Sequence, residues 1–379
     1  MPDTASPPLP PGLSAGAFVA RHWHKRALLM RGALPAFDDL FAWPQLRALA
    51  ERDDVESRLV VRDGPRYTLA RGPFRRASWR SLPKAGWTLL VQGTNLHDTR
   101  ADRLLRRFDF LPFARLDDLM VSYATPGGGV GPHVDSYDVF LLQGMGRRRW
   151  RYGRQKDLAL RAGLPLKILG RFTPRHDHVL ARGDMLYLPP QVAHDGVALD
   201  TAMTYSIGFR AASATEIAQA FLDFLRDRIE LSGRYADPDL RVTSTPARID
   251  AAVQRRFAKI LAAIRVERAS VEEFIGSFLS EPKPDVFFSP PAPPLTRAAF
   301  ARAIAARGVA LDRRTQLLYD ARRFYVNGIS LAAPAGARRD VAALADGRAL
   351  AARRCAALGA ATLALLHHWY CDGYLEPAA

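Results

Sequence analysis

"GPHVDSYDVFLLQGMGRRRW", residues 131–150, is the stretch of this sequence that constrains the fold most strongly. It predicts a strand that carries His133 and Asp135 two positions apart, followed by a glycine turn and three arginines. Side chains two positions apart on a strand point to the same face, so His133 and Asp135 should converge on one spot. Whether that spot holds a metal depends on a third ligand from elsewhere in the chain.

Short apolar stretches separated by turn signals surround this segment, from Leu13 to about Arg210. They include "RLVVRDGPRYTLARG", "WTLLVQG", "LMVSYATPGGG", "DMLYLPP" and "TAMTYSIGFR". Many short strands at this spacing predict a barrel or a sandwich in place of alternating strands and helices. The fold class predicted for this part of the chain is therefore mainly β.

The character of the sequence changes after residue 210. "SATEIAQAFLDFLRDRIELSG" begins with a helix-cap signal and has helical apolar spacing. The apolar side chains of this region, such as Ile217, Phe221 and Leu225, need a partner, which is either the barrel or a second copy of the chain. Clustered prolines then predict a linker. The predicted parts are a disordered N-terminus (1–12), a β domain (13–210), a helical dimerisation segment (211–282), a proline-rich linker (283–294) and a small α+β domain (295–379).

Charge and cysteine content narrow the possible partners and cell compartment. The net charge is +16, which favours RNA, or proteins that live on RNA, as partners. An arginine-rich composition inherited from a GC-rich genome explains the charge equally well. Only Cys355 and Cys371 occur, which excludes a disulfide framework and a cysteine zinc site. No apolar run is long enough to span a membrane and no signal-peptide layout is present, so the sequence predicts a cytoplasmic protein.

The third ligand candidate is His194, in "RGDMLYLPPQVAHDG". A turn, a short strand and two prolines precede it and should return the histidine to the mouth of the barrel. Two histidines and one carboxylate form the facial triad of non-haem Fe(II) oxygenases, which leaves open positions for substrate and oxygen. A competing group, His176-Asp177-His178, is interpreted as solvated residues of an exposed loop.

The three arginines after the glycine turn should alternate between the faces of the next strand. Arg147 and Arg149 are predicted to face solvent, and Arg148 is predicted to face the barrel interior with Trp150. A buried guanidinium needs an anionic partner, because an unpaired buried charge is costly. A dicarboxylate such as 2-oxoglutarate would supply one carboxylate to Arg148 and chelate a metal with its keto acid end.

These residues resemble those of the bacterial JmjC-type ribosomal oxygenases. The resemblance rests on "DDLMVSYATPGGGVGPHVDSYDVFLLQGMGRRRWRYG", "GDMLYLPPQVAHDGVA" and "YSIGFR", with weaker similarity in "RHWHKRALLMRG" and "WTLLVQGTN". It implies a cupin-fold (double-stranded β-helix) hydroxylase with a winged-helix-like C-terminal domain. The implied reaction is hydroxylation of C3 of an arginine in large-subunit ribosomal protein sixteen, with Fe(II), 2-oxoglutarate and O2. A homodimer is also implied, whereas direct nucleic-acid binding is possible but not required.

The resemblance also assigns roles to individual residues. It places His133, Asp135 and His194 at the iron-ligand positions and Arg148 at the position that binds the 2-oxoglutarate side-chain carboxylate. It gives Ser206 and Thr204, on a later strand, a part in holding the cosubstrate.

A positively charged substrate guanidinium also needs an acidic residue beside the iron. Asp118 is the candidate, and Tyr137 is the second candidate substrate contact. Asp117 and Asp118 lie just before the strand "LMVSY", where they could equally cap a turn or end a helix.

Two other functions remain open at this point. One keeps the oxygenase chemistry and changes its target to histidine hydroxylation on another ribosomal protein, or to demethylation. An acidic substrate pocket around Asp118 favours arginine over a neutral histidine. In the other, the cupin is not catalytic and binds RNA or the ribosome. A protein that only binds would not need both an intact triad and Arg148.

Overall fold

The short apolar stretches form strands, as predicted, in the computed structural model of the chain, which describes residues 7–378. The strands of the N-terminal half are β1 (Leu28–Met30), β2 (Ser57–Asp63), β3 (Arg66–Arg71), β4 (Trp87–Val91), β5 (Leu116–Ala124), β6 (Val139–Gln143), β7 (Arg148–Gly153), β8 (His176–Leu180), β9 (Met185–Leu188), β10 (Ala193–Ala198) and β11 (Ala202–Phe209). The helices among them are α1 (Ala15–Arg21), α2 (Trp43–Ala50), α3 (Arg76–Arg80) and α4 (Thr99–Arg106).

These strands form two antiparallel sheets. The major sheet has the order β1-β9-β6-β11-β5-β4-β2-β3, and the minor sheet has the order β10-β7-β8. Strands that are distant in sequence lie next to each other, for example β5 beside β11 with Ser122 opposite Thr204. The arrangement is the double-stranded β-helix of the cupin fold.

Strand parity decides which side chains face the space between the sheets. On β5, Leu119 and Val121 pack into the large core that the helices cover on the outside of the major sheet. The alternate residue Met120 packs instead with Val60 and Leu90 in a separate cluster on the inner face. Met120 and Ser122 therefore face inward and Asp118 follows the same alternation, whereas Leu116, beyond a register shift in the pairing with β11, packs in the large core.

The predicted strand through His133 and Asp135 is wrong. Residues 131–138 contain one isolated bridge, in which the backbone N–H groups of His133 and His194 donate to each other's carbonyls at 3.0 and 2.9 Å. Pro132 has no N–H to donate, and Gly131 has a φ of +82°, so a regular ladder cannot continue through this segment. The two side chains converge through a loop.

Two further local predictions need correction. His176, Asp177 and His178 belong to strand β8 and not to a loop, because β8 pairs with β7 at the edge of the minor sheet. Asp117 and Asp118 lie within β5, and not before it. Turn capping and helix termination are thereby excluded as the reason for this acidic pair.

The remaining chain contains mostly helices. They are α5 (Ala214–Arg226), α6 (Ala251–Leu261), α7 (Arg268–Ser280), α8 (Arg297–Arg307), α9 (Arg338–Gly347), α10 (Ala352–Cys355) and α11 (Ala360–Cys371), with strands β12 (Val309–Leu311), β13 (Leu317–Tyr319), β14 (Arg323–Val326), β15 (Ile329–Ala332), β16 (Ala349–Leu350) and β17 (Leu375–Pro377). Helix α5 begins with the predicted cap, since Ser213 and Glu216 exchange side-chain to backbone hydrogen bonds. No helix within residues 7–378 combines the length and the apolarity needed to cross a bilayer.

The described residues fall into two compact units. The first comprises those within Met1–Ala211, Lys283–Thr315 and Ala335–Ala379 and contains both cupin sheets and the sheet β16-β12-β17. The second comprises Ala212–Pro282 and Gln316–Pro334, in which α7 packs on the sheet β13-β14-β15. The predicted disordered segment 1–12 lies partly outside the described residues, and Leu9 packs against the main core.

Candidate active site

His133, Asp135 and His194 come together at one end of the space between the two sheets. One potential ligand atom from each lies within 4.8 Å of the others. The Nε2 atom of His133 is 3.8 Å from one carboxylate oxygen of Asp135, and Nε2 of His194 is 3.5 Å from the other. Within residues 7–378 no second group of three such side chains converges in this way. His176, Asp177 and His178 are therefore not brought together as ligands.

Backbone carbonyls orient both imidazole rings. The Nδ1 atom of His133 lies 2.8 Å from the Gly131 carbonyl, and Nδ1 of His194 lies 2.9 Å from the Val192 carbonyl. A carbonyl oxygen only accepts, so Nδ1 carries the proton in each neutral ring and leaves the Nε2 lone pair free. Burial, followed by the charge of His133, lowers the pKa of His194 to about 4. The ring is therefore neutral at physiological pH, as a metal ligand must be.

This donor set fits a divalent metal with open coordination positions. Two imidazole nitrogens and one carboxylate would provide three ligands of the set that Fe(II) takes in non-haem oxygenases, and no thiolate is available to complete a structural zinc site. Cys355 and Cys371 lie in α10 and α11.

Arg148 is buried on the inner face of β7, as its strand parity predicts. Its side chain is 5% exposed, and its Nε and Nη2 atoms have no hydrogen-bond partner among the described residues. Arg147 and Arg149 are exposed and form ion pairs with Asp200 and Asp177. The burial lowers the pKa of Arg148 to about 10, which still leaves the guanidinium charged at neutral pH. A buried, charged and unpartnered guanidinium indicates a place for an anionic ligand.

Thr204 and Ser206 lie on the same inner face, on β11. Ser206 is opposite Leu141 of β6, and Leu141 packs with Trp150, which shares its strand face with Arg148. The Thr204 hydroxyl donates to the Gln143 side chain at 3.0 Å, which leaves its oxygen lone pairs as acceptors. Both hydroxyls are thus placed in the space between the sheets.

Asp118 is a buried acid on the inner face of β5. One of its oxygens accepts hydrogen bonds from the side chain of Gln92 at 2.7 Å and the backbone N–H of Gly93 at 2.9 Å. Lys283 lies beside it, with Nζ 3.1 Å from Asp117 and 3.8 Å from Asp118. Burial raises the pKa of Asp118, and the positive charge of Lys283 opposes that shift.

Tyr137 connects the two halves of the site electrostatically. Its side chain is 39% exposed. Desolvation of the hydroxyl, followed by the negative charges of Asp135 and Asp118, raises its pKa. Both carboxylates thus lie near enough to Tyr137 to disfavour its ionised form.

Two contributors were missed by the sequence analysis. Lys283 lies in the stretch predicted as a linker, and no local pattern connects it with Asp118. Asp138 is fully buried and binds the Tyr187 hydroxyl at 2.5 Å and Nε2 of His24 at 2.8 Å. The signal for Asp138 was present, since an acid directly before the apolar run Val139–Leu142 must find partners when it is buried. Its contacts anchor the loop that carries His133 and Asp135.

Comparison with known proteins adds independent findings. The family described as JmjC domain matches residues 103–217, and the family described as ROXA-like winged helix matches residues 261–376. The Escherichia coli protein "Ribosomal protein uL16 3-hydroxylase" is 37% identical over 279 residues, which are 73% of this chain and 74% of that protein. A "Probable ribosomal oxygenase" of Haemophilus influenzae is 33% identical over 255 residues, 65% of this chain and 60% of that protein.

A solved structure shares the whole architecture. The structure of YcfD, a ribosomal oxygenase from Escherichia coli, in complex with cobalt and 2-oxoglutarate superposes with a TM-score of 0.80 at 32% identity. The superposed region covers 96% of this chain and 98% of the YcfD chain.

Proposed function

Because this chain belongs to the JmjC-domain ribosomal oxygenases, we propose that it hydroxylates C3 of an arginine side chain in large-subunit ribosomal protein sixteen (uL16). The cosubstrates are 2-oxoglutarate and O2, and the metal is Fe(II). One observation carries the proposal. The buried Arg148, whose Nε and Nη2 atoms have no partner among the described residues, is linked to the triad by Trp150, whose ring lies 5.9 Å from its guanidinium and 6.0 Å from the ring of His194.

The proposed ligand roles follow from the chemistry of the side chains. His133, Asp135 and His194 hold the metal, and Arg148 binds the distal carboxylate of 2-oxoglutarate, with Thr204 and Ser206 hydrogen-bonding to the same cosubstrate. When bound, Fe(II) with 2-oxoglutarate and O2 supplies the oxidising power for hydroxylation of an unactivated C–H bond. The protein contributes orientation and the exclusion of water.

The proposed substrate contacts are Asp118 and Tyr137. A buried carboxylate next to the metal attracts a guanidinium, which can donate two parallel hydrogen bonds to it. Asp118 already has the Gln92 and Gly93 donors on one oxygen, so its other oxygen is left for the substrate. The Tyr137 hydroxyl would fix the side chain between Asp118 and the triad. The acidic character of this pocket favours arginine over a neutral histidine.

The test combines succinate release with the mass of the product. Recombinant protein is incubated with purified ribosomal protein uL16, Fe(II), 2-oxoglutarate and ascorbate, and tandem mass spectrometry locates the added oxygen. His133→Ala is expected to abolish both succinate release and the added mass. His178→Ala, which removes an imidazole from the edge strand β8, should retain both. Succinate release without modification of any arginine would overturn the arginine assignment. No substrate-dependent succinate release from the wild-type protein would overturn the oxygenase proposal.

The assembly and domain boundaries predicted from the sequence are part of the same proposal. Helices α5 and α6 expose large apolar side chains, with Leu222, Phe257 and Leu261 more than half exposed at 65%, 53% and 62%. A second copy of the chain would cover them, which supports a homodimer formed through segment 211–282. Analytical ultracentrifugation of wild-type and Leu222→Glu proteins tests this, since the variant should sediment as a monomer. We also propose a cytoplasmic location, where ribosomal proteins are synthesised.

A further inference from the structure

A polar cleft of about 380 Å³ in the cupin domain is lined by Pro132, the residue before His133, and by Tyr67 and Ile168 of the inner-face cluster. Six of its lining residues carry the argument: Arg62, Tyr67, Arg151, Arg161, Phe172 and Asp195. Asp195 follows the ligand candidate His194 on β10, so the two side chains point to opposite faces of the minor sheet. Asp195 therefore reaches the cleft from the face of the minor sheet opposite to His194, and the cleft has a size typical of small-ligand pockets.

The charge of this cleft is unbalanced. Arg151 forms an ion pair with Asp195 at 2.5 Å. Arg62 and Arg161 have no carboxylate within ion-pair distance anywhere in the described part of the chain, residues 7–378. Two guanidinium groups are thus available to an anionic ligand, for which they are the preferred binding groups.

Asp195 adds a requirement for a hydrogen-bond donor. Its side chain is 2% exposed, and its Oδ1 atom has no hydrogen-bond partner among residues 7–378 although Oδ2 is paired with Arg151. A buried carboxylate oxygen without a donor carries an uncompensated desolvation cost. The cleft therefore favours a ligand that presents an N–H or O–H group as well as an anion.

Aromatic rings supply the third feature. The Phe172 ring lies 5.9 Å from the Arg151 guanidinium, and the Tyr67 ring lies 5.9 Å from that of Arg62. Desolvation and the charge of Asp195 raise the pKa of Tyr67, and the charges of Arg62 and Arg161 oppose this rise. Both rings and all four ionic side chains line the same cleft, where a planar group could stack on ring and guanidinium faces.

We propose that this cleft binds one ribonucleotide unit of an RNA strand. Its phosphate would pair with Arg62 and Arg161, its base would stack on Phe172, and its 2′-hydroxyl or a base N–H would donate to Asp195. An acidic peptide side chain satisfies the two arginines but leaves the aromatic surface unused. The net charge of +16 favours a polyanionic partner over an isolated small anion.

The cleft also shares a wall with the metal site. A Cβ at Gly131 would come within 3.0 Å of the Tyr67 hydroxyl and of Ile168, so the backbone of Gly131 borders the cleft directly. The carbonyl of the same residue orients His133. RNA bound here would lie beside the loop that carries His133, whether or not the proposed hydroxylation takes place.

Fluorescence anisotropy with labelled oligoriboadenylate tests the proposal on the full-length protein. The cleft variant is Arg62→Ala with Arg161→Ala. The matched control is Arg147→Ala with Arg149→Ala, which removes the same charge from exposed ion pairs outside the cleft. The cleft variant should bind at least tenfold more weakly, with the slope of log K against log salt concentration reduced by about 0.7 for the one phosphate contact that is lost. The control should change affinity less than twofold.

Competition identifies the ligand class. Oligoriboadenylate should bind more tightly than oligodeoxyadenylate, since only the former has the 2′-hydroxyl. Equal weakening by the cleft and control variants, or equal binding of RNA and DNA, would overturn the proposal. If adenosine monophosphate displaces the labelled RNA at the same concentration as unlabelled RNA does, the cleft is a site for free nucleotides. If hexaglutamate displaces it, the cleft is a site for acidic peptides. Either result overturns RNA as the ligand.

Photo-crosslinking keeps the test independent of variant folding. Wild-type protein is irradiated with RNA that contains 4-thiouridine, and the crosslinked peptide is identified by mass spectrometry. A crosslink at Tyr67 or Phe172 is expected, and crosslinks confined to residues 295–378 would overturn the proposal. Neither binding measurement requires turnover, so failure of the proposed hydroxylation would not be mistaken for failure of this inference.

Discussion

The ammonium nitrogen of Lys283 lies 3.8 Å from a carboxylate oxygen of Asp118, the acid proposed to receive the substrate guanidinium. The Asp118 side chain is 5% exposed and that of Lys283 is 34% exposed. Lys283 also lies 3.1 Å from Asp117. Without substrate, Lys283 therefore partly neutralises the buried Asp118 together with Asp117, which is 28% exposed and also forms an ion pair with Arg210.

Replacement of Lys283 should tighten substrate binding. In Lys283→Met the pocket loses a cation that competes with the substrate guanidinium, so we expect KM for the ribosomal protein to fall about tenfold, or about 1.4 kcal/mol, with kcat unchanged. Steady-state succinate release checks this, with Lys156→Met on the surface as the control. An unchanged or higher KM would show that Lys283 does not compete for Asp118.

The pH dependence of KM should report the ionisation of Asp118. Burial raises the pKa of this carboxyl, and Lys283 opposes the rise, while Asp117 adds to it. Only the ionised form attracts a guanidinium, so KM should increase as pH falls through the raised pKa. In Lys283→Met the pKa rises further and the increase in KM should begin at a higher pH. If KM depends on pH in the same way in the two proteins, this assignment is contradicted.

Arg148→Met should separate stability from cosubstrate binding. The wild-type guanidinium is buried without a partner, so an apolar side chain of similar length should stabilise the ligand-free protein by about 1–4 kcal/mol. The same change removes the partner of the distal carboxylate, and 2-oxoglutarate should no longer raise the melting temperature. Differential scanning fluorimetry with and without 2-oxoglutarate measures both effects. A variant that is less stable, or that still responds to 2-oxoglutarate, would exclude the proposed role.

Metal binding should stabilise the fold through the triad. At a metal concentration 100 times Kd, binding to the native state alone adds about 2.7 kcal/mol to the free energy of unfolding. We expect Mn(II) to raise the melting temperature of the chelator-treated wild-type protein and to leave His133→Ala unchanged. His178→Ala serves as the matched control, because it removes an imidazole outside the triad. A similar rise in His133→Ala would place the metal elsewhere.

The buried Asp138 should be a determinant of stability. It accepts from the buried Tyr187 hydroxyl and forms ion pairs with His24 and Arg115, whose side chains are 44% and 32% exposed, so Asp138→Ala leaves the buried hydroxyl without its acceptor and should cost about 3 kcal/mol. Asp177→Ala breaks an exposed ion pair with Arg149 and should cost less than about 1 kcal/mol. Chemical denaturation of the two variants measures the difference. Equal losses would mean that the Asp138 contacts do not anchor the metal-binding loop.

Much of the site was predictable because its residues obey local rules. Strand parity placed Arg148 inside and its neighbours Arg147 and Arg149 outside, which the structure confirms. The same rule gave a wrong path for His133 and Asp135, since Pro132 and Gly131 interrupt the strand and the convergence comes from a loop. The prediction that His133 and Asp135 converge was therefore right, and the prediction that they lie on a strand was wrong.

The sequence by itself determined the mainly β domain, the identity of the three candidate ligands and the inward-facing arginine, because alternation and residue chemistry are local properties. Only the tertiary structure decided that Lys283 lies beside Asp118, that Asp138 joins Tyr187 and His24, and that Arg62, Arg161 and Asp195 border one cleft. Those contacts join residues far apart along the chain, and their distances depend on how the sheets and loops pack. No local pattern in the sequence encodes that packing.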